Sequence, residues 1–273
     1  MIKDFTTYIN EGLFDRNQSE FVIKKTDKGI EHVYIPKTKD ELYRYIGLGI
    51  EQAKKEGSYP NVNLKNIDIS ELGDDDLYEL FGGFKDKFDI VPDISNWNIE
   101  YIPNHFFYNN KQIKEFTIPD SVTRIGERSF YNCISLTSVT IPNNVTNIGE
   151  GAFTYCSSLT SVEIPDSVTS IGTYAFYGCD DLTSPVYNAH VFAFMPKSYS
   201  GSYTIPDGIA SITGYAFYDC NSITSVTIPN SVTSIGEGAF GFCRNLTSVT
   251  ISEHLRISEY SFPKNCKIIR KII

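Results

Sequence analysis

The stretch Leu136–Ser158 reads LTSVTIPNNVTNIGEGAFTYCSS, and it decides the fold because its neighbours repeat it. Three further copies stand at Ile113–Ser135, Leu159–Asp181 and Ile223–Asn245, each 23 residues long, and the copies that begin at 113, 136 and 159 follow one another directly. Self-similarity at a fixed period of this length is the signature of a protein built from stacked units. A solenoid is therefore predicted before any other feature of the chain is considered.

Each copy predicts two short strands. In Leu136–Ser158, the residues Val139–Ile141 alternate as a half-buried strand does, and Pro142 ends the strand because proline cannot donate to a ladder. Val145 and Ile148 form a second, shorter apolar segment, for which an extended conformation is expected. One copy cannot bury its own apolar side, so the copies must stack.

The end of each copy predicts a short helical turn that closes the coil. Gly149 stands where a positive φ would turn the chain at little cost, and Glu150 would face the positive end of a helix dipole. Ala152, Phe153 and Cys156 follow at helical spacing. Because strands stack about 4.8 Å apart and helices about 8–10 Å apart, the helical side must splay. The fold class expected is an α/β repeat solenoid, a curved right-handed stack with its strands on the concave face.

The repeated run I-P-x-S-V-T-x-I-G-x-x-A-F-x-x-C, found between Ile113 and Cys266, resembles the BspA-type (treponemal) leucine-rich repeat family. The resemblance covers more than half of the chain. It implies a leucine-rich-repeat-like solenoid. It also implies a surface or secreted protein that adheres to host molecules, since many members of that family are described in this way.

Three parts are predicted along the chain. Residues 1–58 do not match the repeat and are predicted to form a helix, a hairpin and a helix. They are interpreted as an α+β N-terminal cap for the first coil, the alternative being a separate docking module. Residues 59–112 are interpreted as diverged repeat coils. Residues 113–273 contain the regular repeats, with a short coil at 182–199 and a C-terminal strand cap.

The regular array is interrupted once, between Cys179 and Cys220, which are 41 residues apart, or one period and 18 residues more. These 18 residues predict a shortened coil rather than a flexible loop, because their apolar side chains favour burial. Pro185–Tyr187 is expected as the first strand of this coil, and His190–Phe194 as its second apolar segment.

The composition limits the partners and the location. The net charge of −9 argues against nucleic acid and against an anionic membrane as the main partner. No apolar run approaches the length of about 18 residues that a membrane span needs, so membrane insertion is not expected. The first residues lack the apolar core of a signal peptide and suggest a cytoplasmic or virion-associated protein, whereas the family resemblance suggests the cell surface or secretion.

No catalytic or metal-binding constellation stands out. All six cysteines occupy one repeat position and are expected to be free buried thiols, without the C-x-x-C spacing of zinc sites. Gly236–Gly241 fits G-x-G-x-x-G but falls on the turn of a repeat. The four histidines lie in different elements, and none has a partner at metal or triad spacing. Neither an enzyme activity nor a cofactor or metal is therefore expected.

A partner is expected to bind the outward strand positions or the short coil. The outward positions should form one row of side chains, which includes Thr140, Glu163, Thr204 and Thr227. Threonine also fills exposed strands through its β-propensity alone, so a uniform row carries little specificity. The short coil offers Tyr187, His190 and Tyr199, whose polar tips tolerate water. Further exposed aromatic residues are expected around the closing turn: Tyr131, Tyr155, Tyr174, Tyr177, Tyr215, Tyr218 and Phe242.

Two functions from different classes remain open. The first is a non-catalytic binding or adhesion protein that presents a curved surface to a protein or glycan partner. The alternative is a structural or assembly component of a phage or another multi-subunit particle, docked through residues 1–58, with homo-oligomer or particle assembly. The family resemblance favours the first function, and the missing signal peptide favours the second.

Overall fold

A computed structural model describes residues 99–258 and 261–271, together with the backbone of two strands near the start of the chain. These strands are β1 (Phe21–Thr26) and β2 (Gly29–Tyr34), and they pair antiparallel with Thr26 opposite Gly29. The hairpin predicted within residues 1–58 is therefore confirmed. The helices predicted on either side of it, and most of segment 59–112, lie outside the described residues.

The repeat region consists of short strands, one or two for each coil. They are β3 (Tyr101–Ile102), β4 (Glu115–Thr117), β5 (Arg124–Ile125), β6 (Ser138–Thr140), β7 (Asn147–Ile148), β8 (Ser170–Ile171), β9 (Val186–Tyr187), β10 (Val191–Phe194), β11 (Gly201–Thr204), β12 (Ser211–Ile212), β13 (Ile223–Thr227), β14 (Ser234–Ile235), β15 (Ser248–Ser252) and β16 (Lys267–Lys271). In the coil Leu136–Ser158, both predicted strands are present, as β6 and β7.

The strands form two series of ladders along the stack. The first series contains β4–β6 and β11–β13–β15–β16, and the second contains β3–β5–β7–β8 and β9–β10–β12–β14. Thr117 lies opposite Thr140 and Ile125 lies opposite Ile148, so the neighbouring strands of the regular coils are one 23-residue period apart and parallel. The predicted repeat solenoid of 23-residue coils is confirmed, and the predicted C-terminal strand is β16.

Buried phenylalanine rings stack through the interior, one from each coil. Centroids are 5.0 and 5.4 Å apart in the stack formed by Phe130, Phe153 and Phe176. They are 4.8 and 4.5 Å apart in a second stack, formed by Phe192, Phe217 and Phe240. Burial of each ring contributes about 1.5–3 kcal/mol, and part of this burial comes from the stacked ring of a neighbouring coil. The coils are therefore stable only together, as the repeat pattern predicts.

The segment that closes each coil is a run of tight turns, and the described residues contain no helix. Thr154 donates its backbone N–H to the carbonyl of Gly151, as in a turn, but Phe153 donates to Ala175 in the next coil. Gly151 and Tyr155 have left-handed φ values of +60° and +58°. Every second backbone N–H group donates to a carbonyl of the next coil, and two residues have left-handed φ values. A helical pattern of hydrogen bonds is therefore not formed there. The predicted helical turn is thus not found.

The positive φ predicted at Gly149 is also wrong, because the left-handed residues of this coil are Gly151 and Tyr155. Glycine is needed at position 149 for a different reason. A Cβ there would lie 2.7 Å from the backbone nitrogen of Glu127 in the preceding coil. The conformational freedom of glycine is used two residues later, and position 149 is a close approach between two coils.

Two rows of threonines join the coils through their hydroxyl groups. Thr137 and Thr160 each donate to the carbonyl of the residue 23 positions earlier. Thr123 and Thr146 do the same in the second row. Threonine at these positions is therefore explained by hydrogen bonds between coils, in addition to its preference for strands.

The six cysteines are free thiols, and five of them are buried, whereas Cys266 is half-buried. The Sγ atom of Cys156 lies 3.1 Å from the carbonyl oxygen of Phe130 in the preceding coil. Burial raises the pKa of the Cys179 thiol well above its usual value, and the charge that a Cys156 thiolate would carry raises it further. The thiols are therefore packing residues that also donate a weak hydrogen bond.

The short coil interrupts both series of ladders. The first series continues beyond β6 only as a single bridge from Ser138 to Ser161, and it resumes at β11. The predicted first strand of the short coil is present as β9, but it pairs antiparallel with β10 instead of with a neighbouring coil. The chain turns back because Asn188 donates its backbone N–H to the carbonyl of Val191. The short coil is therefore a hairpin inserted into a parallel stack.

Candidate functional site

The interruption brings together four aromatic side chains, called here the break cluster: Tyr187, Phe192, Tyr199 and Tyr203. The ring of Tyr187 lies parallel to that of Phe192, with centroids 5.8 Å apart. The ring centroids of Tyr203 and Phe192 lie 5.8 Å apart. Those of Tyr203 and Tyr199 lie 5.2 Å apart, and these two rings are nearly perpendicular. Phe192 is fully buried and forms the floor of the cluster, whereas Tyr187 is 42% exposed. The cluster thus presents an anchored aromatic ring to solvent.

The two other tyrosines of the break cluster are half-buried, which corrects the expectation of an exposed Tyr199. The hydroxyl of Tyr199 donates to the backbone carbonyl of Ser202 at 3.1 Å. Burial raises the pKa of Tyr203 to about 12, and the neighbouring Tyr187 and Tyr199 add to this effect. At neutral pH the cluster therefore offers uncharged rings and hydroxyl groups, the chemistry of aromatic anchors in protein contacts.

His190 is exposed at the turn between β9 and β10, and no described ring contact joins it to the break cluster. Its backbone N–H donates to the side-chain oxygen of Asn188 at 2.9 Å. Its carbonyl accepts hydrogen bonds from the backbone of Ala210 and Ser211 in the following coil. The backbone of His190 thus connects two coils, and a role of its imidazole in binding stays a prediction.

The predicted row of outward side chains is divided between two ladders. Thr140 belongs to β6, whereas Thr204 and Thr227 lie opposite each other in β11 and β13. Glu163 is exposed and follows the bridge at which the first ladder ends. Tyr203 directly precedes Thr204 in β11, so the break cluster stands beside the second part of the row. The row is therefore not continuous, and its gap is filled by aromatic side chains.

A second group of aromatic residues runs along the closing turns and is called here the aromatic ribbon. Its members are Tyr108, Tyr131, Tyr155, Tyr174, Tyr177, Tyr215, Tyr218 and Phe242. Successive centroids from Tyr108 through Tyr131 to Tyr155 are 4.9 and 5.6 Å apart. Burial raises the pKa of Tyr131, so its hydroxyl also stays protonated at neutral pH.

The aromatic ribbon crosses the short coil without a break. The ring centroids of Tyr177 and Tyr218 lie 5.5 Å apart, and those of the stacked rings of Tyr174 and Tyr215 lie 3.8 Å apart. The members of each pair are 41 residues apart in the sequence. The short coil ends in a single tight turn, in which Tyr199 donates its backbone N–H to the carbonyl of Pro196, instead of the longer run of turns that closes a regular coil. The coils before and after it are therefore in direct contact on this side. The aromatic ribbon is therefore continuous where both series of ladders are interrupted.

One charged side chain of the short coil reaches the aromatic ribbon. The Nζ atom of Lys197 lies 3.3 Å from a carboxylate oxygen of Asp180. Burial works against the charge of Lys197, but Asp180, followed by Asp219 and Tyr177, raises the pKa of the lysine. The ammonium group thus lies among two carboxylates and a tyrosine of the ribbon.

The described residues do not group three or more histidine, cysteine, aspartate or glutamate side chains in a way that could hold a metal ion. In the same part of the chain, the structure has no helix of the length and apolar character needed to cross a membrane.

Residues 91–203 and 187–273 match the BspA type Leucine rich repeat region, in six copies. These ranges cover well over half of the chain, which therefore belongs to the family of BspA-type leucine-rich repeat proteins. The resemblance noted from the repeated run is confirmed. No curated protein sequence is similar enough to this one to count as a relative.

Solved structures of other leucine-rich repeat proteins are similar to part of the chain. A leucine rich cell surface protein from Faecalibacterium prausnitzii is 28% identical over 60% of this chain and 61% of its own, with a TM-score of 0.39. A leucine rich repeat protein from T. pallidum is 30% identical over 52% of this chain and 60% of its own, with a TM-score of 0.37. The pneumococcal vaccine antigen PcpA is 19% identical over 67% of this chain and 52% of its own, with a TM-score of 0.44. The chain thus spans about three fifths of the first two proteins.

Sequence reasoning missed three residues of these surfaces. Tyr203 stands at a repeat position that holds Val139 and Val226 in other coils, so the pattern assigned it to the core. Tyr108 falls in the diverged part of the repeat. Lys197 lies in the short coil, where no register predicts the direction of a side chain. Aligning the copies of the repeat would have found Tyr203, because a tyrosine stands there where most of the other coils have valine.

Proposed function

We propose that this protein binds a partner without catalysis, and that the break cluster is the centre of the binding surface. The observation that carries the proposal is Tyr187, which is held against the buried ring of Phe192 and is 42% exposed. Tyrosine is one of the residue types that are enriched in binding hot spots, where the side chain is well packed. Thr204 and Thr227 extend the surface along the neighbouring strands, with Glu163 and Thr140 on the other side of the gap.

A protein is the partner class that this surface favours, and an exposed position on a cell is the setting proposed. Membership of the BspA-type family supports both statements. A uniform array offers the same side chains at each step, so a ligand that must recognise one place needs an irregular feature. The short coil is such a feature, since it changes both the strand pairing and the side chains within one coil.

Selection against the whole protein tests the proposal. A display library of random peptides and an array of oligosaccharides are both applied to the immobilised protein, and the ligands that bind are then measured against variants. Tyr187→Ala is expected to weaken binding by about tenfold or more, the size of a hot-spot truncation, and Tyr199→Ala to weaken it less. Thr140→Ala, in the regular part of the row, is the matched control and is expected to change affinity less than twofold.

Two results would contradict the proposal. Ligands that lose affinity with Thr140→Ala and Thr227→Ala, but not with Tyr187→Ala, would move the site to the regular strand positions. Recovery of ligands from the oligosaccharide array alone would replace the protein partner by a glycan. Circular dichroism and melting curves confirm that each variant is folded.

A further inference from the structure

The middle of the aromatic ribbon lies in the most acidic part of the described chain. Between residues 163 and 219 there is a single lysine or arginine, Lys197, and the carboxylates are Glu163, Asp166, Asp180, Asp181, Asp207 and Asp219. The described residues that follow have the opposite balance, with basic side chains at Arg244, Arg256, Lys264, Lys267, Arg270 and Lys271. The charge is thus separated along the stack, and the negative part coincides with the centre of the ribbon.

Carboxylates border the tyrosines at this centre. Against the effect of burial, Asp180 and Asp219 both raise the pKa of Lys197, which is also raised by Tyr177. Glu237 acts electrostatically on Tyr174, whose pKa is raised first by burial and then by Tyr215. The face of a tyrosine ring carries negative charge density and attracts cations. Rings and carboxylates together therefore form a surface of one electrostatic sign.

Lys197 shows how a cation fits this surface. It lies in the tight turn that ends the short coil, and its ammonium group pairs with Asp180 at 3.3 Å. The side chain keeps 42% of its surface exposed. Tyr155 is also 42% exposed, whereas Tyr177 and Tyr218 are half-buried. Asp219 is bonded to the side-chain amide of Asn221 at 2.7 Å, which holds its carboxylate in place.

We propose that the centre of the aromatic ribbon, from Tyr155 to Tyr218, binds a basic, extended segment of a protein partner. Lysine or arginine side chains of that segment lie on the tyrosine rings, and they pair with Asp219 and Glu237 as Lys197 pairs with Asp180. The surface is separate from the break cluster and shares no residue with it, so this proposal does not depend on the proposed function.

The first test measures the binding of a fluorescent, acetylated and amidated hexa-arginine peptide to the full chain, at physiological ionic strength. Tyr177→Leu and Tyr218→Leu remove a ring and leave the charge unchanged. Each is expected to weaken binding by about threefold, because a cation on a partly exposed ring contributes a modest interaction. Tyr177→Phe keeps the ring and is expected to bind as tightly as the native protein. Tyr187→Leu, in the break cluster, is the matched control for the loss of an exposed ring.

The second test separates the surface from general attraction between opposite charges. Asp219→Asn is expected to weaken binding more than Asp120→Asn, which removes the same charge from a regular coil. Lys197→Gln is expected to strengthen binding more than Lys111→Gln, because it also removes the side chain that competes for Asp180.

The proposal is wrong if hexa-arginine does not bind, or if the variants of each matched pair have equal effects. It is also wrong if Tyr177→Leu and Tyr218→Leu bind like Tyr187→Leu in folded protein. If either leucine variant fails to fold, the proposal is tested by the charge variants at Asp219 and Lys197 with their controls, since these variants leave the rings in place. If the break-cluster variants keep their affinity in the library experiment, the proposed function is wrong, but the hexa-arginine comparisons still test the present proposal.

Discussion

Ser129 is the residue at which one coil departs from the others in its core. The same position holds Ala152, Ala175, Ala216 and Ala239 in other coils. Ser129 is fully buried, and its hydroxyl oxygen has no hydrogen-bond partner among the described residues. A buried hydroxyl without a partner costs about 1–3 kcal/mol. The coil that contains Ser129 is therefore less stable than its sequence similarity to the others indicates.

Ser129→Ala is expected to raise the free energy of unfolding by about 1 kcal/mol, because it removes the unpaired hydroxyl and leaves the packing unchanged. The midpoint of unfolding in urea measures the effect. Thr154→Ala is the control, since the buried Thr154 hydroxyl donates to the carbonyl of Tyr174, and its loss is expected to lower stability. A destabilised Ser129→Ala variant would show that the hydroxyl has a partner.

The buried thiols predict a dependence of stability on pH. Burial raises the pKa of Cys133, Cys179, Cys220 and Cys266, and it raises that of Cys243 to about 12. Above the ordinary thiol pKa of about 8.5, the unfolded chain loses these protons and the native chain keeps them, so the unfolded state binds fewer protons and stability falls as pH rises. The free energy of unfolding is expected to decline from about pH 8.5 upward, and less in a Cys243→Ala variant than in the native protein. An equal slope in the two proteins would contradict this prediction.

The strands were predictable from the sequence, whereas the closing turns were not. Alternation at Val139–Ile141 and the following Pro142 give the strand and its end. The spacing of Ala152, Phe153 and Cys156 is typical of a helix, but it equally suits a run of turns in which every second N–H bonds to the next coil. Glycine at position 151 hints at a left-handed backbone, yet Tyr155 adopts the same conformation without any hint in its side chain.

The last strand depends on one arginine. The Nη1 atom of Arg270 in β16 donates to the carbonyl oxygens of Ser252, Glu253 and Leu255, at 3.4, 3.0 and 3.0 Å. The guanidinium group therefore binds the loop that follows β15 and connects this loop to the last strand. This contact could not be predicted, since the last coil is irregular in sequence.

Arg270→Gln is expected to increase hydrogen exchange in Ser252–Leu255 and to lower the free energy of unfolding by about 1–3 kcal/mol, because three carbonyls lose a charged donor. Arg270→Lys is expected to be intermediate, since a single ammonium group lacks the fork of donors. Lys271→Gln, one residue further on the same strand, is the control and is expected to leave exchange unchanged. Equal exchange in all variants would show that the loop is held by other contacts.

At the scale of the whole molecule, the short coil divides the core into two parts. One hydrophobic cluster extends from Ile99 to Phe194, and another extends from Phe192 to Leu255. The sequence predicted the position of this division and the two strands of the short coil. It could not predict their antiparallel pairing, because periodicity gives the direction of a chain only while the period continues. It also found the aromatic residues of the ribbon except Tyr108, but not their contact across the short coil, which joins residues 41 positions apart.

The most direct test of the account restores the regular array. Leu182–Tyr199 is replaced by a second copy of Leu159–Asp181, so that the 23-residue period continues without interruption. The replaced protein is expected to be folded and at least as stable, since both series of ladders can continue. The quantity measured is its affinity for the ligands selected on the native protein. The account predicts a loss of tenfold or more, and unchanged affinity in the folded, restored array would contradict the claim that binding depends on the break in the repeat.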